Sequence, residues 1–247
     1  HARQVLIALE NHKSVYCEKP LAVNNEELKE ITDVLGRPDT PLLTVGYNRR
    51  FAPMAIQLAE FIRVRSEPLL IQYRVNAGYL PPTHWLHDPQ QGGGRIVGEG
   101  CHFIDFLTYL VGVSPVSVHA AALPDKEKYN RDNVILTLSY PDGSIGTVTY
   151  LAHGNKNYAK ERVEVFTSGR IAILNDFRAL ELVTENRKKV VHSALRQDKG
   201  HTNAWHGFLS ALKNGGLPPI PYDQLTSTSL ASFAALESLR SGNRIDL

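Results

Sequence analysis

The segment Ser14-Val15-Tyr16-Cys17-Glu18-Lys19-Pro20 decides the fold of the first part of this chain. Its apolar run predicts a short buried strand, and Glu18 and Lys19 follow at the carboxyl end of that strand. Helical patterns lie on both sides, from Ala2 to Glu10 and from Asn25 to Leu35. A strand between helices is typical of the βαβ units of a parallel sheet. Ligand crevices of such sheets lie at the carboxyl ends of the strands, so we expect a binding site at Lys19.

A second predicted strand, Leu42 to Gly46, ends at the same edge of this sheet and is followed by Asn48 and Arg49. We therefore expect Lys19, Asn48 and Arg49 to converge. The alternative to a binding role is that Lys19 is a solvated lysine that forms an ion pair with Glu18.

Beyond Pro53 the pattern changes to that of an α+β domain. A helix from Met54 to Val64 precedes a strand from Leu69 to Val75, and helical spacing returns from Arg95 to Val111. Period-two segments separated by turn residues then predict an antiparallel meander. Its strands are Val116 to Leu123, Asn133 to Tyr140, Ser144 to Ala152, Glu161 to Thr167, Ile171 to Leu174, Ala179 to Thr184 and Lys189 to Ser193. Two helices, Thr202 to Lys213 and Gln224 to Arg240, end the sequence.

Three motifs occur in one order along the chain. They are Glu18-Lys19-Pro20, then Gly46-Tyr47-Asn48-Arg49-Arg50-Phe51, then Gly92-Gly93-Gly94 followed by His102-Phe103-Ile104-Asp105. In this order and spacing the chain resembles the glucose-fructose oxidoreductase / inositol dehydrogenase / MocA family. The resemblance implies an NAD(P)-dependent oxidoreductase of sugars or polyols, with a Rossmann domain followed by a large, mainly antiparallel open sheet with helices on one face.

The glycine fingerprint of the Rossmann fold, G-x-G-x-x-G, is missing from this sequence. We therefore expect a fragment. Residues 1–52 would be the last two βα units of the NAD(P)-binding domain, and residues 53–247 the domain for substrate binding and oligomerisation. The resemblance assigns Glu18, Lys19, Pro20, Asn48 and Arg49 to the cofactor, with NAD and NADP both open. The segment Gly98-Glu99-Gly100-Cys101-His102 also resembles that of members in which this module is fused to a zinc-type medium-chain dehydrogenase-like domain.

Lys19, His102 and Glu99 are the candidate catalytic residues. Alcohol oxidation needs a base for the hydroxyl proton and a positive group for the developing alkoxide. Glu99 and Asp105 lie three residues on either side of His102, so either carboxylate could orient the imidazole. The family has an aspartate four residues before this histidine, where this chain has Gly98, which leaves open whether Glu99 replaces it.

The loop before the glycines supplies the candidate substrate contacts Tyr79, His84 and Trp85, to which Asp105 is added. Aromatic rings stack on sugar faces while polar groups bind the hydroxyls. Trp85 could equally plug the loop against the core. His84, His87 and Asp88 would also allow a zinc site, but the spacing offers no clear third ligand, so no metal is predicted.

Composition narrows the classes of partner and the cellular compartment that we expect. The chain has 247 residues and a net charge of +2, which does not favour nucleic acid or an anionic membrane as a partner. Cys17 and Cys101 form no Cys-x-x-Cys motif, which fits a reducing cytoplasm. We expect a homodimer or higher homo-oligomer through the open sheet. The alternative function is a non-catalytic carbohydrate-binding or assembly module, favoured by the missing aspartate.

Overall fold

The computed structural model describes residues 1–88, 90–124, 128, 131–193 and 196–247. The α-helices are α1 (Ala2–Glu10), α2 (Asn25–Leu35), α3 (Pro53–Arg63), α4 (Cys101–Val111), α5 (His201–Asn214) and α6 (Tyr222–Ser241). The strands are β1 (Val15–Cys17), β2 (Leu43–Val45), β3 (Leu70–Asn76), β4 (Ser117–Ala122), β5 (Val134–Ser139), β6 (Ile145–Leu151), β7 (Glu161–Thr167), β8 (Arg170–Asn175), β9 (Ala179–Thr184), β10 (Arg187–His192) and β11 (Ile245–Asp246).

The first sheet is a parallel pair, as the βαβ pattern predicts. β1 and β2 pair with Val15 opposite Leu43 and Cys17 opposite Val45. The connecting helix α2 is capped by Asn24, whose side chain accepts a hydrogen bond from the Glu27 amide at 2.8 Å. Both strands therefore end at the same edge, which brings the segments after Cys17 and after Val45 together.

The second sheet has the strand order β10-β9-β8-β7-β3-β6-β5-β4-β11. The predicted meander is wrong at one place, because β6 and β7 do not pair with each other. Instead β3 lies between them, parallel to β6 and antiparallel to β7. The nine-residue connection 152–160 gives the chain room to cross over β3. The predicted fold class is confirmed, since all other pairs in this sheet are antiparallel.

One face of this sheet is covered and the other is open. Helices α3, α4 and α6 contact β8, β6 and β4 respectively, and the side chains that face them are buried. The alternate side chains on the open face are exposed or half-buried; they include Leu70, Ile135 and Ile145 as well as charged residues. This alternation is that of a sheet with one solvated face.

Two hydrophobic clusters form the interior. The larger one packs the nine-stranded sheet against α3, α4 and α6, and the smaller one packs β1 and β2 against α1 and α2. Cys101, Ile220 and Leu225 belong to the smaller cluster, so the two parts of the chain share a packed boundary. A division of the chain at residue 52 stays a prediction. Within the described residues, no helix combines the length and apolar character that crossing a membrane requires.

Candidate active site

A cleft of about 330 Å³ lies where β1 and β2 end. Its lining brings together segments far apart in sequence: Lys19, Asn48, Arg49, Leu80, His84, Trp85, Leu86, Glu99, His102, Lys160, Lys199 and His201. Seven of the sequence-predicted residues are in this list. A larger groove of about 770 Å³ beside α6 is mostly apolar, and its lining contains none of the predicted residues.

Lys19 follows β1 directly and is half-buried. Its ammonium group donates a hydrogen bond to the carbonyl oxygen of Gly98 at 2.8 Å. This bond joins the end of the parallel sheet to the turn that leads into α4. The solvated pair of Lys19 with Glu18 is therefore not what the structure contains.

His102 lies in the first turn of α4, with the Tyr47 ring edge-on at 6.0 Å. Its Nδ1 atom is buried and has no hydrogen-bond partner among the described residues. Burial lowers the pKa of the imidazole well below its ordinary value of 6.5, and the charges of Arg49 and Lys19 lower this pKa further. The surroundings of His102 therefore favour the neutral form of its imidazole.

Glu99 enters the cleft because the helix does not start as an ordinary α-helix. Residues Ile96–Gly100 form a π-helical turn, whose wider i→i+5 bonding changes the direction of each side chain. The Glu99 carboxylate accepts hydrogen bonds from Lys160 at 2.9 Å, from Arg95 at 3.3 Å and from the Tyr150 hydroxyl. Burial alone would raise the pKa of Glu99, but Lys160, Tyr150 and Arg95 lower it from 4.5 to about 2.

The expectation that a carboxylate orients His102 is wrong. The hydrogen bonds of Glu99 go to other residues, as described above. Asp105 is fully buried and accepts hydrogen bonds from Arg50 at 2.6 and 3.1 Å, so it does not reach the cleft or a substrate. Burial raises the pKa of Asp105 above its ordinary 3.8, and Arg50 opposes that shift. The pair connects the 3₁₀ turn Asn48–Phe51 to α4, which is a structural role.

Arg49 forms a buried ion pair with Glu161, a residue that the sequence analysis did not single out. Glu161 is 1% exposed and accepts from Arg49 Nε at 2.7 Å and Arg49 Nη2 at 3.0 Å. Lys199 donates to the same carboxylate at 2.6 Å, as does the Tyr73 hydroxyl. The signal in the sequence was a glutamate at a position of β7 where its alternate neighbours are buried and apolar. Asn48 completes this wall by donating to the carbonyl oxygen of Lys199 at 2.7 Å.

The loop over the cleft brings in His84 and Trp85 but not Tyr79. Tyr79 is 44% exposed and lies outside the lining, where Leu80 takes its place. Trp85 is 57% exposed, so it does not plug the core. His84 accepts from the Leu86 amide at 3.2 Å, which fixes the turn. Among the described residues, no three His, Cys, Asp or Glu side chains are grouped as metal ligands.

Gly98 stands where the resembled family has an aspartate, and the structure explains why a side chain is excluded. A Cβ atom at this position would lie 2.5 Å from the carbonyl oxygen of Gly92 and 2.5 Å from Leu86 Cδ1. Gly92 is itself packed against the Leu86 backbone, where a Cβ would approach to 2.4 Å. The glycines thus let the loop pack on the π-turn; whether Glu99 replaces the family aspartate stays a prediction.

The remaining predicted cofactor residues flank the cleft. Glu18 is exposed, and its carboxylate lies over Gly46, where a Cβ would be 3.2 Å from Oε1. Pro20 is buried, and its carbonyl oxygen is 2.8 Å from Nδ1 of His1. Neither residue belongs to the lining.

Comparisons with known proteins agree with this architecture. Residues 66–172 match the GFO/IDH/MocA C-terminal domain. The chain is 24% identical to the myo-inositol 2-dehydrogenase of Thermotoga maritima, covering 100% of this chain and 76% of that protein. It is 26% identical to the inositol 2-dehydrogenase of Rhizobium meliloti, covering 95% of this chain and 74% of that protein. The structure of levoglucosan dehydrogenase in complex with NADH and levoglucosan superposes with a TM-score of 0.83 at 23% identity, covering 100% of this chain and 76% of that one. These comparisons therefore agree with the resemblance to the GFO/IDH/MocA family that the three sequence motifs indicate.

Proposed function

We propose that the cleft is the active site of an NAD(P)-dependent oxidoreductase that acts on a CH–OH group of a sugar, a polyol or a sugar derivative. One observation carries the proposal: Lys19 and a neutral His102 share a small polar cleft at the ends of two parallel strands. The names of the inositol dehydrogenases and of the NADH complex support the substrate and cofactor classes.

In this proposal His102 is the general base. Its lowered pKa keeps the imidazole neutral, so that one ring nitrogen can take the hydroxyl proton of the substrate. Lys19 supplies a positive charge that stabilises the alkoxide as it forms. Its bond to the Gly98 carbonyl fixes the ammonium group in the cleft before substrate binds.

Glu99 has a different role. A carboxylate with a pKa of about 2 is a weak base, so Glu99 is proposed to stay ionised and to hold Lys160 at the cleft. Arg49, Asn48 and Lys199 form the opposite wall, and His84 and Trp85 are proposed to contact the hydroxyls and one apolar face of the substrate.

The residues present fit only one end of a dinucleotide. The parallel strand ends and the buried, unpartnered Nδ1 of His102 provide a polar crevice of the kind that accepts a nicotinamide ring. This sequence contains no G-x-G-x-x-G turn to bind a pyrophosphate. Glu18, Pro20, Asn48 and Arg49 are therefore proposed at the nicotinamide end. When bound, the nicotinamide supplies the hydride acceptor for the carbon that bears the hydroxyl.

The test is an assay of the full-length gene product with NAD⁺ and NADP⁺ against polyols, sugars and sugar acids. We expect reduction of the cofactor with at least one substrate, and a loss of about a hundredfold or more in kcat for His102→Gln. His206→Gln is the matched control, since His206 is exposed on α5 and outside the cleft. Saturable substrate binding without turnover would instead favour a non-catalytic carbohydrate-binding module.

Two further proposals concern organisation. Residues 1–52 are proposed to be part of the nucleotide domain, and residues 53–247 to form the substrate and oligomerisation domain. The open face of the nine-stranded sheet is proposed as the surface of a two-fold dimer, because it leaves large apolar side chains such as Ile135 and Ile145 exposed.

A further inference from the structure

Positive charge exceeds negative charge around the cleft. The cations are Lys19, Arg49, Lys160 and Lys199 in the lining, with Arg95 behind them. The carboxylates that contact these cations are Glu99, Glu161 and Asp176. Glu18 adjoins Lys19 in sequence, but its carboxylate lies over Gly46 outside the lining. Five cations therefore meet three carboxylates in this part of the described structure.

The ion pairs leave the excess charge on the cleft side. Arg49 and Lys199 share Glu161, and Lys199 lies 3.9 Å from Asp176. Lys160 and Arg95 share Glu99. In the proposed mechanism the forming alkoxide uses the charge of Lys19, and a neutral sugar has no group that would use the remaining excess.

Lys160 is the cation best placed to meet a ligand. Its side chain is 41% exposed, whereas the side chains of Lys199 and Arg49 are 17% and 8% exposed. The ammonium has three N–H donors, and the described structure gives it one hydrogen bond, to Glu99 Oε1. Two donors therefore remain for a group entering the cleft. Lys160 immediately precedes β7, so a strand end fixes its position.

We infer that the substrate is an anionic sugar derivative, with a carboxylate or a phosphate group that binds Lys160. The inference rests on the proposed function for its sugar part only. The cleft volume of about 330 Å³ is near the lower end of the roughly 300–1,000 Å³ found for ligand sites. A single charged sugar ring therefore suits it better than a longer chain of sugars. The alcohol would react at Lys19 and His102 while Lys160 holds the charged substituent.

Equilibrium binding tests this inference without requiring turnover. Calorimetry at low ionic strength would compare D-glucose, D-glucuronate and D-glucose 6-phosphate, which share a ring and differ only at the exocyclic carbon, with the galactose series beside them. We expect an anionic member to bind about tenfold tighter than its neutral counterpart, with the ratio falling as salt is added. Preference for the uronate or for the phosphate identifies which anion is used. Equal binding of neutral and anionic members, or binding of none, would overturn the inference.

Variants then locate the interaction. Lys160→Gln should abolish the preference for the anionic sugar, Lys160→Arg should keep most of it, and the control Lys189→Gln should leave it unchanged. Lys189 is exposed on β10 outside the cleft, so the control removes the same charge elsewhere. If Lys160→Gln weakens the binding of neutral and anionic sugars equally, Lys160 has a structural role with Glu99. That result would overturn its assignment as the binding site of the anionic group. Turnover without anion preference would refute this inference alone, whereas anion preference without cofactor reduction would refute the oxidoreductase proposal alone.

Discussion

Replacing Glu161 by glutamine should destabilise the protein strongly while barely changing its volume. The carboxylate is 1% exposed and its two oxygens accept four donors: two from Arg49, one from Lys199 and one from Tyr73. A carboxamide has one oxygen, and its NH₂ group would face donors. Arg49 would then be a buried cation without its bidentate partner.

Breaking a buried ion pair by removing one partner costs about 3–5 kcal/mol. With a urea m value of roughly 2–3 kcal/mol/M, this loss should lower the unfolding midpoint by about 1–2.5 M. Burial opposes ionisation of Glu161, yet Arg49 and Lys199 hold its pKa well below the ordinary 4.5. A carboxylate with a depressed pKa stabilises the fold above the unfolded value and loses that effect only as the pH falls through the folded value. The difference between wild type and Glu161→Gln should therefore persist at pH 5.

Equilibrium urea unfolding, followed by far-UV circular dichroism, measures this effect. Glu185→Gln is the matched control: Glu185 is exposed in the turn between β9 and β10, and its replacement should change stability by no more than about 0.5 kcal/mol. Tyr73→Phe removes one donor and keeps the ion pair, so a loss of about 1 kcal/mol is expected even if Glu161→Gln does not fold. A loss below about 1 kcal/mol in Glu161→Gln, with an unchanged m value, would refute the reasoning.

In the proposed oxidoreductase, Lys19→Met should lower kcat by about 10²–10³-fold with a much smaller change in cofactor affinity. The same change removes a charge that lowers the pKa of His102, so the acid limb of kcat/KM should move to higher pH; an unmoved limb would count against His102 as the base. Gly98→Ala should cost about 1–3 kcal/mol in urea unfolding, because its Cβ would lie 2.5 Å from a backbone oxygen, whereas an unchanged midpoint would contradict the packing of this turn. Light scattering should give a dimer at micromolar concentration, and Ile145→Glu on the open sheet face should shift it towards monomer; a wild-type monomer would exclude this interface.

Local signals in the sequence were sufficient for the elements and for part of the site. The βαβ pattern around Glu18 and Lys19 predicted parallel strands whose ends meet, and the structure contains that pair. Lys19, Asn48, Arg49, Glu99 and His102 lie in one cleft. These inferences were possible because hydrophobic period, caps and strand ends are local properties of the chain.

Tertiary structure alone decided which groups became partners. Period-two strands look alike whichever neighbour they bond, so the sequence could not indicate that β3 separates β6 from β7. Asp105 had the spacing of a group that orients His102, but Arg50 takes its carboxylate in the interior. Glu99 had the spacing of a group that orients His102, but it follows a π-turn and its carboxylate binds Lys160, Arg95 and Tyr150 instead. The energy of each pairing depends on long-range contacts and on burial, because burial raises the cost of an unpaired charge. The spacing of residues along the chain specifies neither the contacts nor the burial.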